Sequence, residues 1–302
     1  MLPAAVAALQ NKQLKIQVFL IALLLIGCTN HVTARDALQE NNAIIEKDIS
    51  YLNDAHKLQA LDIYTPAKTG SRPVLIYIHG GAWKIGDKRS GAKHAHFYTN
   101  QGIVFVSVNY RMLPKFKHPT FVEDIAASIK WVTDNIHNYG GDRNKIVLTG
   151  HSAGAHLAAL VTSTPKYLQA HNLDLNTIKA VAPVDTASFD FTLQSDHQPK
   201  LIKRIINKAF GRTHIKRAKA SPRQYVLKEK REDYPDFLLF VTSELKDAIE
   251  QTYAFHDALK STGANVQKFI LQGASHSEMN DQISQSDSII AQHISKTLEA
   301  LR

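Results

Sequence analysis

The stretch Gly150-His151-Ser152-Ala153-Gly154 puts a hydroxyl at the centre of a five-residue turn, with a glycine two positions away on each side. The apolar run Ile146-Val147-Leu148 leads into it and the alanine- and leucine-rich segment up to Leu160 leaves it, so the turn joins a strand to a helix. A chain that reverses sharply at Ser152 lifts the hydroxyl above its surroundings, and glycines on either side avoid collisions with the neighbouring strand and helix. The Ala153 N–H then stands at a helix N-terminus, facing any negative oxygen that forms beside Ser152. Such a serine is suited to nucleophilic attack on a carbonyl carbon. Its hydroxyl is weak at neutral pH and requires a base that is itself oriented by an acid.

Both partners are expected on loops after later strands, in the chain order serine, acid, histidine. Of fifteen histidines, His276 follows the apolar run Val266–Leu271 in a loop of small residues, Gly273-Ala274-Ser275. His151 and His156 lie too close to Ser152 in sequence to reach its hydroxyl in line, and read as surface or packing residues. The acid is expected after Phe237–Thr242, where Asp247 competes with Glu244. Asp247 is favoured because it lies at a loop-to-helix boundary. Asp124 and Asp142 read as helix or turn anchors.

An oxyanion needs a second set of donors, and His79-Gly80-Gly81-Ala82-Trp83 supplies them after the run Val74–Ile78. Backbone N–H groups of Gly80, Gly81 and Ala82 would join that of Ala153. Losing one such donor typically costs about 10²–10³ in rate. His79 reads as a residue that orders this loop, and Trp83 as a wall of the substrate site or, equally, as packing. The chemistry requires no metal and no organic cofactor.

The elements that must position these residues are legible as a pattern. Strand-like runs occur at Leu58–Tyr64, Val74–Ile78, Ile103–Val108, Ile146–Thr149, Ile178–Val184, Phe237–Thr242 and Val266–Leu271. Several are continuously apolar, as in parallel strands buried on both faces. Helical spacing of three or four recurs in Phe121–Ile136, Ala248–Thr262 and Ile283–Leu301. The alternation predicts an α/β fold with a mostly parallel central sheet flanked by helices. It breaks between about residues 186 and 234, a helical insertion. There Leu201-Ile202, Ile205-Ile206 and Ala209-Phe210 alternate with Lys200, Lys203, Arg204 and Lys208. This basic amphipathic helix reads as a cap over the carboxyl edge of the sheet, or as an element lying on anionic lipid.

Charge is unevenly placed. Residues 200–231 hold twelve Lys or Arg against one acid, Glu229, and their formal +11 exceeds the +9 of the whole chain. The basic balance is therefore local, and no nucleic-acid partner is expected from it.

The N-terminus has the form of a secretory leader, with Lys12 and Lys15 before the apolar run Val18–Ile26, then Gly27 and Cys28. That run is shorter than the roughly 20 residues a bilayer span takes. Leu25-Ile26-Gly27-Cys28 resembles the bacterial lipobox, which implies lipidation of Cys28, the single cysteine of the 302-residue chain. Thr29 beside it resembles outer-membrane sorting more than inner-membrane retention. The organisation expected is a signal peptide over 1–27, a tether over 28–43 and one catalytic domain over 44–302. The protein would then be held by lipid in a bacterial cell envelope, at the outer membrane facing the periplasm.

Taken together the motifs resemble the α/β-hydrolase fold, and within it the esterase branch related to hormone-sensitive lipase and the BD-FAE group of feruloyl-esterase-like and kynurenine-formamidase-like enzymes. The resemblance rests on Leu61-Asp62-Ile63-Tyr64-Thr65-Pro66, His79–Trp83 with Gly86-Asp87-Lys88, Asn109-Tyr110-Arg111 with Pro114, Asp124 ahead of Trp131, and Gly150–Gly154. Ser221-Pro222 fits it too, as does Asp247 with Thr252, Phe255, Leu259 and Gly263. It implies a triad of Ser152, Asp247 and His276, and an oxyanion hole of the Gly80–Ala82 backbone with Ala153. It departs from the family at Ala82 and in the long basic segment. The activity it implies is hydrolysis of small-molecule carboxylic esters through an acyl-enzyme. An amidase such as an arylformamidase uses the same scaffold, and a non-catalytic lipid-anchored binding protein is the more remote reading.

The leader generates a prediction of its own. Cells producing the chain in labelled palmitate should yield a labelled product, and Cys28→Ser should remove the label; an unlabelled, unprocessed parent chain would contradict the anchor.

Overall fold

A computed structural model describes residues 43–67, 70–193 and 199–302. The leader, most of the tether and Cys28 lie outside the described residues. Eight strands follow the chain: β1 (Ile44–Ser50), β2 (Ala60–Thr65), β3 (Arg72–Ile78), β4 (Val104–Val108), β5 (Gly141–His151), β6 (Ile178–Val184), β7 (Asp236–Thr242) and β8 (Val266–Leu271). They form one sheet in the order β1-β2-β4-β3-β5-β6-β7-β8. β1 and β2 pair antiparallel with each other, β2 pairs antiparallel with β4, and every pair from β4 through β3 to β8 is parallel. The helices are α1 (Ala92–Asn100), α2 (Thr120–Asn135), α3 (Ala153–Thr162), α4 (Lys166–Gln169), α5 (Lys200–Phe210), α6 (His214–Ala218), α7 (Pro222–Glu229), α8 (Lys246–Lys260), α9 (His276–Asp281) and α10 (Ile289–Glu299).

The apolar runs explain the two-sided burial. In β3, Val74, Ile76 and Ile78 point into one hydrophobic layer with Phe121, Ile125 and Ile129 of α2. Leu75 and Tyr77 point into the opposite layer with Tyr98 of α1 and Ile290 and Ile294 of α10. Alternate residues of one strand thus serve two cores, which is why the run has no polar positions.

One expected helix is interrupted, and one strand has no counterpart among the predicted runs. The predicted Ile283–Leu301 helix is a short 3₁₀ turn at Gln282–Ser284 followed by α10. The polar stretch Ser284–Ser288 breaks it, and the Ser288 hydroxyl accepts from Ala291 N at 3.0 Å as an N-cap. β1, a largely exposed edge strand, lacks the apolar run that marks the other strands.

A buried ion centre ties the loop after β3 to the sheet. Lys88 is 4% exposed, and its Nζ donates to Asp62 Oδ1 on β2 and to Asp48 Oδ1, each at 2.6 Å. The Lys88 N–H donates to Asn109 Oδ1 at 2.6 Å, and the Ser107 hydroxyl donates to the Lys88 carbonyl at 2.6 Å. Burial alone would push the ammonium pKa down, but the two carboxylates outweigh it and raise the value. Lys88→Met should strand fully buried Asp62 and cost about 3–5 kcal/mol in guanidinium unfolding. Adding Asp62→Asn should recover most of that loss, and a single variant indistinguishable from the parent would contradict it.

Candidate functional site

Ser152 sits between β5 and α3 with φ 56° and ψ −116°, a backbone conformation that L-residues rarely adopt. Its N–H donates to Val184 O at the end of β6, at 3.0 Å. The flanking glycines are sterically obligatory. A Cβ on Gly150 would lie 2.7 Å from the Gly154 carbonyl carbon and 2.8 Å from Ile78 O. One on Gly154 would lie 2.7 Å from His79 O and closer still to Ile78 O. β3 and α3 therefore leave no room for side chains on either side of the serine.

The loop after β3 presses against the same turn. A Cβ on Gly80 would be 3.3 Å from the Ser152 Cβ. Gly81, Ala82 and Trp83 have φ of 108°, 51° and 56°, three successive left-handed residues. For the alanine and the tryptophan this costs about 1–2 kcal/mol each. The bend is held because Lys84 N and Ile85 N both donate to Gly81 O at 3.0 Å. His79 orders the loop from below: its Nδ1–H donates to Gly80 O at 2.7 Å and its ring stacks on Tyr110 with centroids 4.6 Å apart. Burial holds its pKa below the usual imidazole value, so it stays neutral. Among the described residues, the N–H groups of Gly81 and Ala82 have no acceptor. The Ala153 N–H at the first position of α3 lacks an intrahelical partner by construction.

His276 opens α9, where Ser275 and Glu278 form a capping box: Ser275 N donates to Glu278 Oε2 at 2.7 Å and Glu278 N to Ser275 Oγ at 3.3 Å. Here the structure corrects the expected acid. The carboxylate on His276 is Asp185, whose Oδ2 accepts from Nδ1–H at 2.6 Å. Asp185 is fully buried at the end of β6, its Oδ1 accepting from Thr242 N at 3.0 Å and its own N–H donating to Phe240 O at 2.8 Å. Asp247, the residue favoured from the sequence, stands in the first turn of α8, five residues beyond β7. Local bonds account for the difference: Asp185 is tied across β7 by Phe240 O and Thr242 N, and the Thr242 hydroxyl donates to Ala274 O of the histidine loop, so the carboxylate lies beside His276. With Nδ1–H committed to Asp185, the Nε2 of His276 is the nitrogen left to act as a base.

His151 packs beside this group, the second of the two roles read for it. Its Nε2–H donates to the His276 carbonyl at 2.8 Å, and the two rings are 4.4 Å apart. Burial first, then the neighbouring His276, push its pKa well below the usual value. His151, Asp185 and His276 offer ligand atoms within 4.8 Å of one another. Asp185 engages the His276 ring, and His151 Nε2–H is held by the His276 backbone carbonyl.

The apolar side of α5 closes over the loop after β3, so this helix is a cap on its inner face. Ile205, Ile206, Ala209 and Phe210 are buried, and Phe210 packs edge-on to Trp83 at 4.8 Å and stacks on Phe191 at 4.4 Å. Trp83 is 4% exposed, a packed pillar under the cap rather than an open wall. Its Nε1–H donates to His156 Nδ1 at 3.2 Å, and His156 Nε2–H donates to Ala220 O at 2.8 Å. His156 thereby bridges α3, the strained loop and the cap. A histidine four residues after the serine, on the buried face of its helix, was the sequence signal for this.

With the geometry in place, the relatives are informative. The BD-FAE family model matches residues 61–259, and the chain belongs to that family. It is 30% identical over 230 residues to a probable isoprenylcysteine alpha-carbonyl methylesterase, ICMEL1, of Oryza sativa subsp. japonica, covering 72% of this chain and 54% of that protein. The chain thus spans about half the length of that relative. It is 38% identical to the probable carboxylic ester hydrolase LipM of Mycobacterium tuberculosis over 122 residues, 39% of this chain and 28% of LipM. Esterase B of Lactobacillus rhamnosis superposes with a TM-score of 0.72 at 21% identity, over 94% of this chain and 95% of its own. The Thermogutta terrifontis esterase 2 bound to butyrate gives 0.62 at 22%, over 85% and 91%. The shared architecture is the α/β-hydrolase fold.

Burial pushes the His156 pKa down to about 3. The unfolded imidazole titrates near 6.5, so below that pH protons favour the unfolded chain. Stability contributed by neutral His156 should be complete above about pH 6.5 and fall by about 2–3 kcal/mol at pH 4.5. His156→Gln should flatten this slope in urea titrations at several pH values; an unchanged slope would contradict a neutral His156.

Proposed function

We propose that this BD-FAE member hydrolyses carboxylic esters of small molecules through an acyl-enzyme on Ser152. The observation that carries the proposal is the strained serine turn after β5, with the Asp185–His276 pair and the Gly80–Ala82 loop on either side of it. His276 Nε2 takes the proton as Ser152 Oγ bonds to the ester carbon, and Asp185 stabilises the imidazolium through Nδ1–H. The carbonyl oxygen becomes an oxyanion facing the unpaired N–H groups of Gly81, Ala82 and Ala153. Collapse breaks the bond to the alkoxy oxygen, which leaves with the His276 proton. Water then attacks the acyl-Ser152 by the same route, giving the free acid and restoring the serine. Neutral, buried His151 keeps positive charge away from the imidazolium that forms on His276. The named relatives and the fold support this reading, and no observation favours the amide bond over the ester.

Anchoring in the cell envelope through Cys28 belongs to the same proposal, supported by the leader and its lipobox-like ending.

A fluorophosphonate probe should label the protein at Ser152, and Ser152→Ala should abolish labelling and lower kcat on p-nitrophenyl esters by about 10⁶. Asp185→Asn should lower kcat by about 10⁴, whereas Asp247→Asn should change it by no more than about threefold. An active Ser152→Ala enzyme would end the proposal, and an Asp247→Asn loss equal to that expected of Asp185→Asn would return the acid's role to Asp247.

A further inference from the structure

The cap has a second face that the hydrolytic chemistry does not use. In α5, Lys200, Lys203, Arg204 and Lys208 recur at helical spacing and are exposed, on the side opposite the buried Ile205, Ile206, Ala209 and Phe210. α6 folds back beside them. Arg217 Nη2 donates to Asn207 Oδ1 of α5 at 2.8 Å, and the Lys216 stem lies against Gly211, where a Cβ would be 2.7 Å from its Cδ. This brings exposed Arg212, Lys216 and Lys219 onto the same surface. The cations of the segment that form ion pairs are Arg223 with Asp190 and Arg231 with Asp233. Among the described residues the seven outward cations of α5, α6 and the turns beside them form none.

Aliphatic side chains stand exposed among these charges. Ile215 is 69% exposed, the most of any large apolar side chain among the described residues, and sits between His214 and Lys216. Leu201 is 39% exposed beside Lys200. A polyanion in water would neutralise the lysines but leave such aliphatic groups wet. A bilayer accommodates both, the cations at the headgroups and the aliphatic groups at the top of the acyl layer.

We propose that the outer face of α5 and α6 docks on a bilayer rich in anionic phospholipid, with Ile215 entering the headgroup–acyl boundary. The inner face of the same cap packs on Trp83, so docking would hold the carboxyl edge of the sheet near the membrane surface. That would favour apolar esters that partition there.

The test uses the full chain with Cys28→Ser and Ile215→Cys, labelled at position 215 with an environment-sensitive nitrobenzoxadiazole fluorophore. A site-specific reporter reads docking of this face whatever the N-terminal leader does. Vesicles of phosphatidylcholine with phosphatidylglycerol should shift the emission to the blue, and a doxyl-labelled lipid should quench it. Pure phosphatidylcholine should produce neither effect. Lys203→Glu, Arg204→Glu and Lys208→Glu together should raise the lipid concentration needed for half-maximal shift by more than about tenfold, and 0.5 M salt should do likewise. These variants should leave hydrolysis of water-soluble p-nitrophenyl butyrate unchanged, which separates this result from the fate of the hydrolytic reading. A probe that stays in water on anionic vesicles overturns the proposal. So does tighter binding to single-stranded nucleic acid or polyglutamate than to vesicles.

Discussion

One hydrogen bond, 2.6 Å from His276 Nδ1–H to Asp185 Oδ2, spans ninety-one residues of sequence and joins the end of β6 to the start of α9. Asp185 can accept it because its other oxygen already takes the Thr242 N–H and its backbone is tied to Phe240. A buried carboxylate with two fixed donors orients an imidazole more sharply than an exposed one, since few other arrangements satisfy its charge. The Thr242 hydroxyl also donates to Ala274 O, so the histidine loop and the strand beside its acid are fastened together. The carboxyl edge of the sheet is organised around that carboxylate.

Opposite it lies a loop that stores strain. The left-handed backbone at Ala82 and Trp83 is unfavourable by itself and persists because its two ends are held. At one end Lys88 is locked between Asp62 and Asp48. At the other, Trp83 is packed among Phe191, Phe210 and His156 and hydrogen-bonded to the last. The cap is thus joined to the Gly80–Ala82 loop through one indole. Packing in the cap and backbone geometry at Gly81 and Ala82 are coupled through that contact.

The same insertion explains the chain's basic balance. Lys200, Lys203, Arg204 and Lys208 of α5 face solvent while the apolar side of the same helix completes the core. Amphipathicity here serves two environments from one helix, with the apolar stripe fixed by Trp83 and Phe191 and the cationic stripe left to the exterior.

The amino-acid sequence by itself determined the strand–helix alternation, the serine turn with its two obligatory glycines, the donor loop after β3 and the late histidine. Each of these is a local pattern, since period and turn chemistry act over a few residues and survive without knowledge of neighbours. Tertiary structure alone decided which acid meets His276. Asp185 and Asp247 both follow apolar runs, and only the long-range bonds that fasten Asp185 to Thr242 and His276 separate them. It likewise decided that His151 serves the His276 carbonyl and that His156 supports Trp83, because those partners lie 125 and 73 residues away. Side-chain identity is written locally, but a hydrogen bond between distant residues exists only once strand order has set which loops are adjacent.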